Sequence, residues 1–331
     1  MLVVTIAVLI VVLVIPATFA LVTWNRLDRV DVHLAGSPSG GTTYLLVGSD
    51  SRADVSSAAD RASFGDAGQV PGERADLVLL LRVPDDGGRP RVLAVPRDLL
   101  VLTTTKGLGS AGLGRLGPTL NHGPQALVDS LCRTLGIGVD HLATIRFLSF
   151  AHLVDLVGGV DVTMDQPERD TVLGFEYGPG THHLDGASAL TYVRVRHLEE
   201  FRDGQWQPDP ESALGRGDRA RTVLAQIGRD APSFSDPIGF ARFAWSVSGA
   251  VTVDESSGVG DVRGLEDALR SMDGAQELEL PVRFQDGEVP LAELLPEADG
   301  VLRRFQRLPA SGPCAAPQLP LADGTILRPG R

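Results

Sequence analysis

The chain has 331 residues, of which 43% are hydrophobic and 22% charged, and this composition is typical of a folded globular protein. Its length suits one large domain or two ordinary ones. Its formal net charge of −12 argues against binding to nucleic acid and to anionic membrane surfaces, because both attract basic proteins.

The N-terminal stretch from Leu2 to Val22 is uncharged and mostly apolar. It is long enough to cross a bilayer as one helix. A cleaved signal peptide is the alternative, since Thr18-Phe19-Ala20 ends in a small residue, but no basic segment precedes the apolar core. We therefore expect residues 1–23 to form an uncleaved transmembrane signal-anchor.

Residues 24–43 read as a juxtamembrane linker, with a flexible stretch from Gly36 to Gly41. The positive-inside rule counts Arg26 and Arg29 after the span and would place the following domain in the cytoplasm. A start codon assigned too late, which would hide a basic leader, would remove this conflict with an extracytoplasmic domain.

Three strands are predicted next, over Tyr44–Val47, Leu77–Val83 and Arg91–Val95. A short turn rich in Pro, Asp and Gly separates the last two, so they must be antiparallel. The ends of all three strands then meet at one edge of a sheet. The charged residues expected there are Asp50, Arg52, Arg74, Asp76, Arg97 and Asp98. For any single pair, a solvated surface salt bridge is the alternative.

Two loops interrupt this region. Ala53–Gly72 is rich in Ser, Ala, Asp and Gly and is expected to be mobile. Thr103–Gly117 contains two overlapping copies of the G-x-G-x-x-G pattern. A dinucleotide site needs a strand just before and a helix just after that pattern. Neither is predicted here, so we reject this function.

The rest of the chain alternates between helix and strand signals, which predicts an α/β protein with helices layered on a sheet. The predicted elements are helix Pro124–Leu135, strand Thr144–Phe147, helix Phe150–Val157, strand Val160–Thr163, a helix from Gly186 with Asp185 as N-cap, a helix over about Gly217–Arg229, helix Leu265–Met272, strand Leu278–Val282 and helix Leu291–Phe305. Arg216, Arg219 and Val223 share one helix face. Arg194 and Arg196 point the same way only if the chain is extended there.

The histidines and cysteines show no metal-binding pattern. Among the histidines only His197, beside Arg196, lies near the expected site. A G-x-S-x-G elbow is absent, so the sequence gives no support to serine-nucleophile chemistry. Cys132 and Cys314 can pair if the compartment is oxidising.

A set of short motifs, in this order along the chain, resembles the LytR-CpsA-Psr family of cell-wall glycopolymer ligases. The motifs are Gly48-Ser49-Asp50-Ser51-Arg52, Arg74-Ala75-Asp76, Val95-Pro96-Arg97-Asp98, Leu156-Val157-Gly158-Gly159-Val160, Asp185-Gly186, Ala189 to Arg196, Gly215-Arg216 and Asp218-Arg219. The resemblance runs from about Tyr44 to Phe305. It implies a single three-layer α/β domain with a central mixed β-sheet flanked by helices, over residues 44–310, after one transmembrane helix. Residues 311–331 would form a C-terminal tail.

The resemblance also implies a function: a membrane-anchored, extracytoplasmic phosphotransferase. Such an enzyme moves a glycopolymer phosphate from an undecaprenyl (polyprenyl) pyrophosphate carrier, held in a deep apolar pocket, to peptidoglycan. It can also act as a pyrophosphatase. Two rival readings are a non-catalytic lipid-carrier or glycan-binding protein of the same fold and a regulator of cell-envelope assembly. The acidic net charge and the lack of a helix-turn-helix signal weigh against a transcriptional regulator.

Residue by residue, the family's positions assign roles at the predicted sheet edge. Asp50 and Asp76 match its metal-binding positions, for Mg²⁺ or Mn²⁺, and Arg97, Asp98 and Asp76 are expected to be catalytic. The pyrophosphate-binding arginines would be Arg52, Arg74, Arg97, Arg194, Arg196, Arg216 and Arg219. The chemistry agrees, because the planar fork of arginine suits phosphate and carboxylates suit magnesium. The extracytoplasmic location that the resemblance implies favours a disulfide between Cys132 and Cys314.

Two departures from the family pattern concern phosphate-holding positions. Thr119-Leu120-Asn121 stands where the family usually has Lys-Ile-Asn, and Lys106 in the Gly-rich loop is the only lysine left to substitute. Arg219-Ala220-Arg221 stands where Arg-Gln-Gln is common. We expect the phosphate site to persist with altered substrate geometry and rate.

Overall fold

A computed structural model of the chain describes residues 15–53, 55, 57, 72–103, 112–209, 215–232, 235–285, 291–306, 314, 319–320 and 326–327. Its strands are β1 Asp28–Val30, β2 Thr42–Ser49, β3 Ala75–Val83, β4 Arg91–Ala94, β5 Leu100–Leu102, β6 Leu113–Arg115, β7 His141–Arg146, β8 Val160–Met164, β9 Glu168–Asp170, β10 Phe175–Tyr177, β11 Gly180–Leu184, β12 Glu199–Arg202, β13 Gln205–Pro208, β14 Val251–Asp254, β15 Gln276–Leu278, β16 Val282–Gln285, β17 Leu291–Leu294, β18 Leu319–Pro320 and β19 Ile326–Leu327. Its α-helices are α1 Ile15–Arg26, α2 Leu116–Thr119, α3 Pro124–Leu135, α4 Phe147–Leu156, α5 Gly186–Arg194, α6 Gly215–Asp230, α7 Pro237–Ala250, α8 Val259–Arg270 and α9 Ala298–Phe305.

The central sheet has seven strands in the order β1-β14-β7-β2-β3-β4-β15. It is mixed: β2 runs antiparallel to β3 and parallel to β7, and β3 runs antiparallel to β4. The predicted class, an α/β protein with a central mixed sheet, is confirmed. The β3–β4 hairpin is antiparallel as its short turn requires.

Helices cover both faces of this sheet, because successive strand residues point to opposite sides. Leu45 and Leu80 face one apolar cluster, to which α3 contributes Leu131. Leu46 and Leu79 face another, to which α8 contributes Ala268. The predicted three layers are thus present. Helix α6 approaches β4 so closely that a Cβ on Gly217 would lie 2.4 Å from the Cβ of Ala94, which requires glycine there.

Apart from the two clusters on the faces of the central sheet, which form the main core, a second apolar cluster lies beside the sheet. It is formed between the paired strands β8 and β11 and helices α4, α5 and α6. Its buried members include Phe147, Phe150, Phe175 and Val223. The small sheet β10-β9-β12-β13 stands next to it. We call this group the second apolar cluster below.

The region before β2 is more ordered than the sequence indicates. Residues 24–43 read as a linker, yet β1 pairs in parallel with β14 at the edge of the central sheet. Val32 and Leu34 then pack against the main core. This segment thus contributes a strand to the sheet, with Val30, Val32 and Leu34 partly buried against it. Its role as a juxtamembrane linker stays a prediction.

The predicted transmembrane segment is only partly described. Residues 15–26 form α1, and the preceding residues fall outside the described ranges. Within the part of the chain that the structure describes, none of the helices is both long and apolar enough to cross a bilayer. The transmembrane anchor therefore stays a prediction.

Two element predictions near the C-terminus are wrong. The predicted helix Leu291–Phe305 is a strand, β17, followed by the shorter helix α9. Pro296 separates them, and β17 pairs with β16. The predicted strand Leu278–Val282 is divided in the same way at Pro281 between β15 and β16.

Candidate functional site

The ends of β2, β3 and β4 meet at one edge of the sheet, as the sequence predicts. Ser49, the last residue of β2, lies opposite Ala75, the first of β3. Just beyond, the buried carboxylate of Asp50 accepts hydrogen bonds from Arg74, from its backbone N–H at 2.6 Å and from its Nε at 2.7 Å. A second guanidinium nitrogen of Arg74 lies 2.6 Å from the same carboxylate.

Arg97 joins two carboxylates at this edge. It donates to Asp76 through Nη1 and to Asp98 through Nε at 3.3 Å. Burial alone would lower the pKa of Arg97, but the two neighbouring carboxylates outweigh it and the pKa is raised. The peptide of Arg97 is also fixed, because the N–H of Gly117 donates to its carbonyl at 2.7 Å. A Cβ at position 117 would lie 2.8 Å from the Ala75 carbonyl, so this close approach needs glycine.

Two further arginines at this edge were missed by the sequence reasoning. Arg115, at the end of β6, donates to Asp98 at 3.1 Å. Arg146, the last residue of β7, lies in register with Ser49. The predicted strand Thr144–Phe147 placed Arg146 near a strand end, a signal that could have found it. The sequence contains no signal that distinguishes Arg115 from the other residues of the Gly-rich loop Thr103–Gly117.

Arg194 and Arg196 reach the site from the other side. Arg194 is the last residue of α5, and Val195 then turns the chain into an extended conformation. Arg196 lies 3.3 Å from the Asp76 carboxylate. Burial lowers the pKa of both arginines, and the other site arginines add to the effect. Both stay cationic, since arginine does not lose its proton in proteins.

The extended segment that carries Arg196 is held by a buried carboxylate. Asp170, at the end of β9, accepts hydrogen bonds from the backbone N–H groups of Arg196 and His197. His197 is thus fixed through its backbone. Arg219 supports the same segment from α6, because its Nη2 donates to the Val195 carbonyl at 2.9 Å. Asp170 is a site residue that the sequence reasoning missed.

The remaining predicted arginines are placed as follows. Arg52 is half-buried after β2, and its Nε is buried without a hydrogen-bond partner among the described residues. Arg216 lies in the first turn of α6. Burial lowers the pKa of Arg219, and the carboxylates of Glu168, Asp209 and Asp218 act in the opposite direction. Its predicted pyrophosphate contact remains a prediction. Lys106 lies outside the described residues.

The structure shows what the side chains contact at the positions that depart from the family pattern. Thr119 is buried and its hydroxyl donates to the Leu116 carbonyl at 2.6 Å, within its own turn. Ala220 is buried, and Arg221 pairs with Glu277 on β15. Asn121 keeps a structural role, since its side-chain oxygen accepts from the Glu73 N–H at 2.7 Å, next to Arg74.

The donor set suits a divalent cation that shares its coordination with substrate. Asp50 and Asp76 offer two carboxylates at one edge, and a group of three or more potential metal-ligating side chains is absent among the residues that the structure describes. Mg²⁺ commonly uses one or two carboxylates together with phosphates and waters. Both carboxylates already pair with arginines, so these residues fit a substrate-assisted ion and not an all-protein cage.

The second apolar cluster adjoins the arginines directly. The guanidinium of Arg194 lies 4.9 Å from the centre of the Phe147 ring, a cation–π contact. Phe147 belongs to the buried part of that cluster. The arrangement places an apolar cluster in contact with one of the arginines at the sheet edge.

An α/β protein with a mixed sheet and several guanidinium groups around two aspartates at one sheet edge is equipped to hold a multivalent anion. The LytR_cpsA_psr family profile matches residues 22–289. The chain therefore belongs to the LytR-CpsA-Psr family, which confirms the resemblance read from its motifs.

Several known proteins are similar to the chain. Over 183 residues it is 35% identical to the probable cell wall biosynthesis protein LcpB of Corynebacterium glutamicum, a match covering 54% of this chain and 42% of that protein. It is 29% identical over 155 residues to TagU of Bacillus subtilis, a polyisoprenyl-teichoic acid–peptidoglycan teichoic acid transferase, covering 46% of this chain and 45% of TagU. The chain thus spans less than half the length of these relatives.

A solved structure shares the fold over most of the chain. The LytR-Csp2A-Psr enzyme from Actinomyces oris superposes with a TM-score of 0.66 and 29% sequence identity, covering 88% of this chain and 98% of that one. Bacillus subtilis TagT shares the fold with a TM-score of 0.57 at 20% identity, over 84% of this chain and 99% of TagT.

Proposed function

We propose that the chain is a membrane-anchored, extracytoplasmic phosphotransferase that moves a glycopolymer phosphate from a polyprenyl pyrophosphate carrier to peptidoglycan. In the transfer, a hydroxyl oxygen of the acceptor attacks the glycan-linked phosphorus and forms a phosphodiester. The bond from that phosphorus to the bridging oxygen breaks, polyprenyl monophosphate leaves, and the hydroxyl proton passes to solvent. Water in place of the acceptor gives pyrophosphatase activity.

The observation that carries the proposal is the excess of guanidinium groups at the sheet edge. Arg74, Arg97 and Arg196 contact carboxylates there, with Arg115 on Asp98 and Arg194 close by. A pyrophosphate brings several negative oxygens, and its cleavage adds charge to the leaving phosphate. Catalysis of phosphoryl transfer rests mainly on positioning and on cations that stabilise such charge.

The ion pairs at the sheet edge indicate how substrate would bind. Arg97 and Arg196 share Asp76, and Arg74 occupies Asp50. Phosphate oxygens would replace the carboxylates as partners of these guanidinium groups. The two carboxylates would then be available to a cation. When bound, Mg²⁺ or Mn²⁺ would neutralise phosphate charge, held by Asp50 and Asp76. The buried Nε of Arg52 is a further donor suited to a phosphate oxygen.

The apolar side of the site favours a lipid-linked substrate. Phe147, under Arg194, begins the second apolar cluster, whose rim includes the partly buried Tyr192 and Phe243. A polyprenyl chain needs apolar surface next to its pyrophosphate, and this cluster is in direct contact with Arg194. The relative TagU is named a polyisoprenyl-teichoic acid–peptidoglycan teichoic acid transferase.

The extracytoplasmic location is supported by the cysteines. Cys132 and Cys314 form a disulfide bond across 182 residues of chain. Disulfides persist in oxidising compartments and are rare in the cytosol. The bond links α3 to the C-terminal tail.

The test is transfer by the full chain in detergent. A short-chain polyprenyl pyrophosphate-linked disaccharide, peptidoglycan and Mg²⁺ are supplied, and polyprenyl phosphate and glycan-modified peptidoglycan are measured. We expect both products, and loss of both in Arg97→Ala. Failure of the unmodified chain to release polyprenyl phosphate, while it still binds the substrate, would contradict the proposal.

The second candidate function is a non-catalytic polyprenyl-phosphate or glycan-binding protein of the same fold. A specific observation favours it: Thr119 turns its hydroxyl into its own helix and Ala220 is buried, so two phosphate-holding positions offer no donor. If this second function is correct, the chain will bind the lipid substrate in the same assay with equal affinity in the presence and absence of acceptor. It will release no phosphate.

A further inference from the structure

Helices α1 and α7 together expose an apolar surface, which we call the α1–α7 face. It is made by five large apolar side chains. They are Ile15, Leu21 and Val22 on α1, exposed by 56%, 60% and 43%, and Ile238 and Trp245 on α7, exposed by 68% and 40%. Along Pro237–Ala250, all of which the structure describes, Ser248 is the one buried residue, although the helix is predominantly apolar. A helix of this composition is normally covered.

The two helices are held together by aromatic and cationic contacts. The rings of Phe19 and Trp245 stack with their centres 6.2 Å apart. The guanidinium of Arg26 lies 3.8 Å from the centre of the Trp245 ring. One turn further, Arg29 lies 4.5 Å from the ring of Trp24. The face therefore ends in a band of tryptophan and arginine.

The charge on these helices differs in sign from that of the whole chain. Neither α1 nor α7 contains an acidic residue, whereas each contains an arginine, Arg26 and Arg242. The chain as a whole carries −12. An apolar helix surface with basic residues and tryptophan at its border is the pattern of a helix that lies in a membrane interface.

The sequence before α1 indicates that a membrane covers the α1–α7 face. Residues 2–14 are uncharged and, apart from Thr5, apolar, and α1 continues that stretch. If Leu2–Val22 spans a bilayer as predicted, the first turns of α1 form the end of that span. Any element packed against α1 near Phe19 then lies close to the membrane surface. Helix α7 is such an element. The apolar side chains of the face then contact lipid and not water.

We propose that α7 is a second membrane-contacting element, which docks the domain on the outer leaflet of the bilayer through the α1–α7 face. The proposal rests on the membrane anchor of the proposed function and adds to it a fixed orientation of the domain. Helix α7 also packs against α4, and its Phe243 packs on the second apolar cluster. Docking through α7 therefore brings the apolar cluster beside the arginines close to the leaflet in which a polyprenyl carrier resides.

The experiment places Trp245 relative to the lipid. The full chain contains three tryptophans, Trp24, Trp206 and Trp245. Replacing the other two by Phe gives a variant with Trp245 alone, which is reconstituted into phosphatidylcholine–phosphatidylglycerol vesicles. With lipids brominated near the headgroup end of the acyl chains, we expect Trp245 fluorescence to fall by about half, as an interfacial tryptophan should. A matched variant with Trp206 alone, on β13, should be unaffected.

A charge on the face provides a second measurement with its own control. Ile238→Glu, in the Trp245-only protein, should remove most of the quenching, because a carboxylate does not enter the apolar part of the interface. Val172→Glu is the control, since Val172 is 74% exposed but lies between β9 and β10, and it should leave the quenching unchanged.

The outcomes separate this proposal from the anchor on which it rests. Vesicles that retain the chain after an alkaline carbonate wash, while Trp245 stays unquenched, would keep the anchor and overturn the docking. Loss of the chain in that wash would overturn both. Equal quenching of Trp206 and Trp245, or equal effects of Ile238→Glu and Val172→Glu, would also overturn docking through this face.

Discussion

The carboxylate of Asp170 accepts hydrogen bonds from the backbone N–H groups of both Arg196 and His197, each at 3.1 Å, and it is fully buried. Its other oxygen accepts from the N–H groups of Val172 and Leu173. One carboxylate thus ties the small sheet to the segment that delivers an arginine to the site. Burial acts to raise the pKa of Asp170, but these four donors outweigh it and lower the pKa.

Asp170→Asn should loosen this segment. The amide nitrogen would face N–H donors, so at least one buried donor loses its acceptor and the free energy of unfolding should fall by about 3 kcal/mol. Affinity for inorganic pyrophosphate, measured by calorimetry, should fall about tenfold as Arg196 loses its fixed position. Asp161→Asn is the control, because the exposed Asp161 carboxylate pairs with the equally exposed His183 ring, and it should change stability by less than about 0.5 kcal/mol. Unaltered pyrophosphate affinity in Asp170→Asn would contradict this role.

The sequence predicted those parts of the fold that local signals specify. Helix α3 begins at Pro124 and ends at Leu135 as predicted, because proline starts a helix and Gly136 adopts the left-handed φ of 69° that ends it. The N-cap Asp185 accepts from Ser188 as expected. The strand-end argument placed Asp50 beside Arg74 and Asp76 beside Arg97 because the hairpin turn fixed the strand directions.

Other features depend on tertiary contacts that no local signal reveals. Strand β17 has an apolar run that suits a helix equally well, and only its pairing with β16 decides. Asp170 and Arg115 enter the site because the small sheet and the β5–β6 hairpin fold back onto it. The sequence offers no partner for either residue within its own element.

Arg97→Lys should be nearly as damaging to transfer as Arg97→Ala. The guanidinium contacts Asp76 and Asp98 through different nitrogens, which the point charge of lysine cannot reproduce. We expect kcat to fall about 10²-fold or more in both variants, with phosphate release as the measurement. Arg89→Lys is the control, since Arg89 contacts only the Gly274 carbonyl in the part of the chain that the structure describes. Full activity in Arg97→Lys would mean that charge alone is required.

Asp50→Asn and Asp76→Asn should each weaken Mg²⁺ binding in the presence of inorganic pyrophosphate. Each removes one of the two carboxylates that we assign to the ion, and we expect a loss of affinity of about tenfold in a calorimetric titration. Asp86→Asn, in the exposed β3–β4 turn, is the matched control. If Mg²⁺ affinity were unchanged in both site variants, the metal assignment would be wrong.

Removing the Cys132–Cys314 disulfide should destabilise the fold without direct effect on the site. The bond closes a loop of 182 residues, which the chain-entropy model values at about 5 kcal/mol. Denaturant unfolding of Cys132→Ala/Cys314→Ala, compared with the oxidised parent, measures the difference, and transfer by the folded double variant should persist. Thiol titration of the unfolded parent, secreted by its native route, should find no free thiol. Two titratable thiols there would contradict both the bond and the extracytoplasmic placement.

His141 should stabilise the fold in a pH-dependent way. Its imidazole lies 3.6 Å from Asp254 and 3.4 Å from Asp261, and the interaction with the Asp254 carboxylate is the main reason that its pKa is raised. A group with a raised folded-state pKa contributes stability that is complete below its unfolded pKa, about 6.5, and is lost as pH rises through the folded value. The stability difference between the parent and His141→Gln should therefore be largest near pH 5.5 and shrink by pH 9, measured by urea unfolding. His182→Gln is the control for removing a histidine that bonds to a backbone carbonyl, that of Gly178. A difference that grew with pH would show that His141 acts as a neutral group.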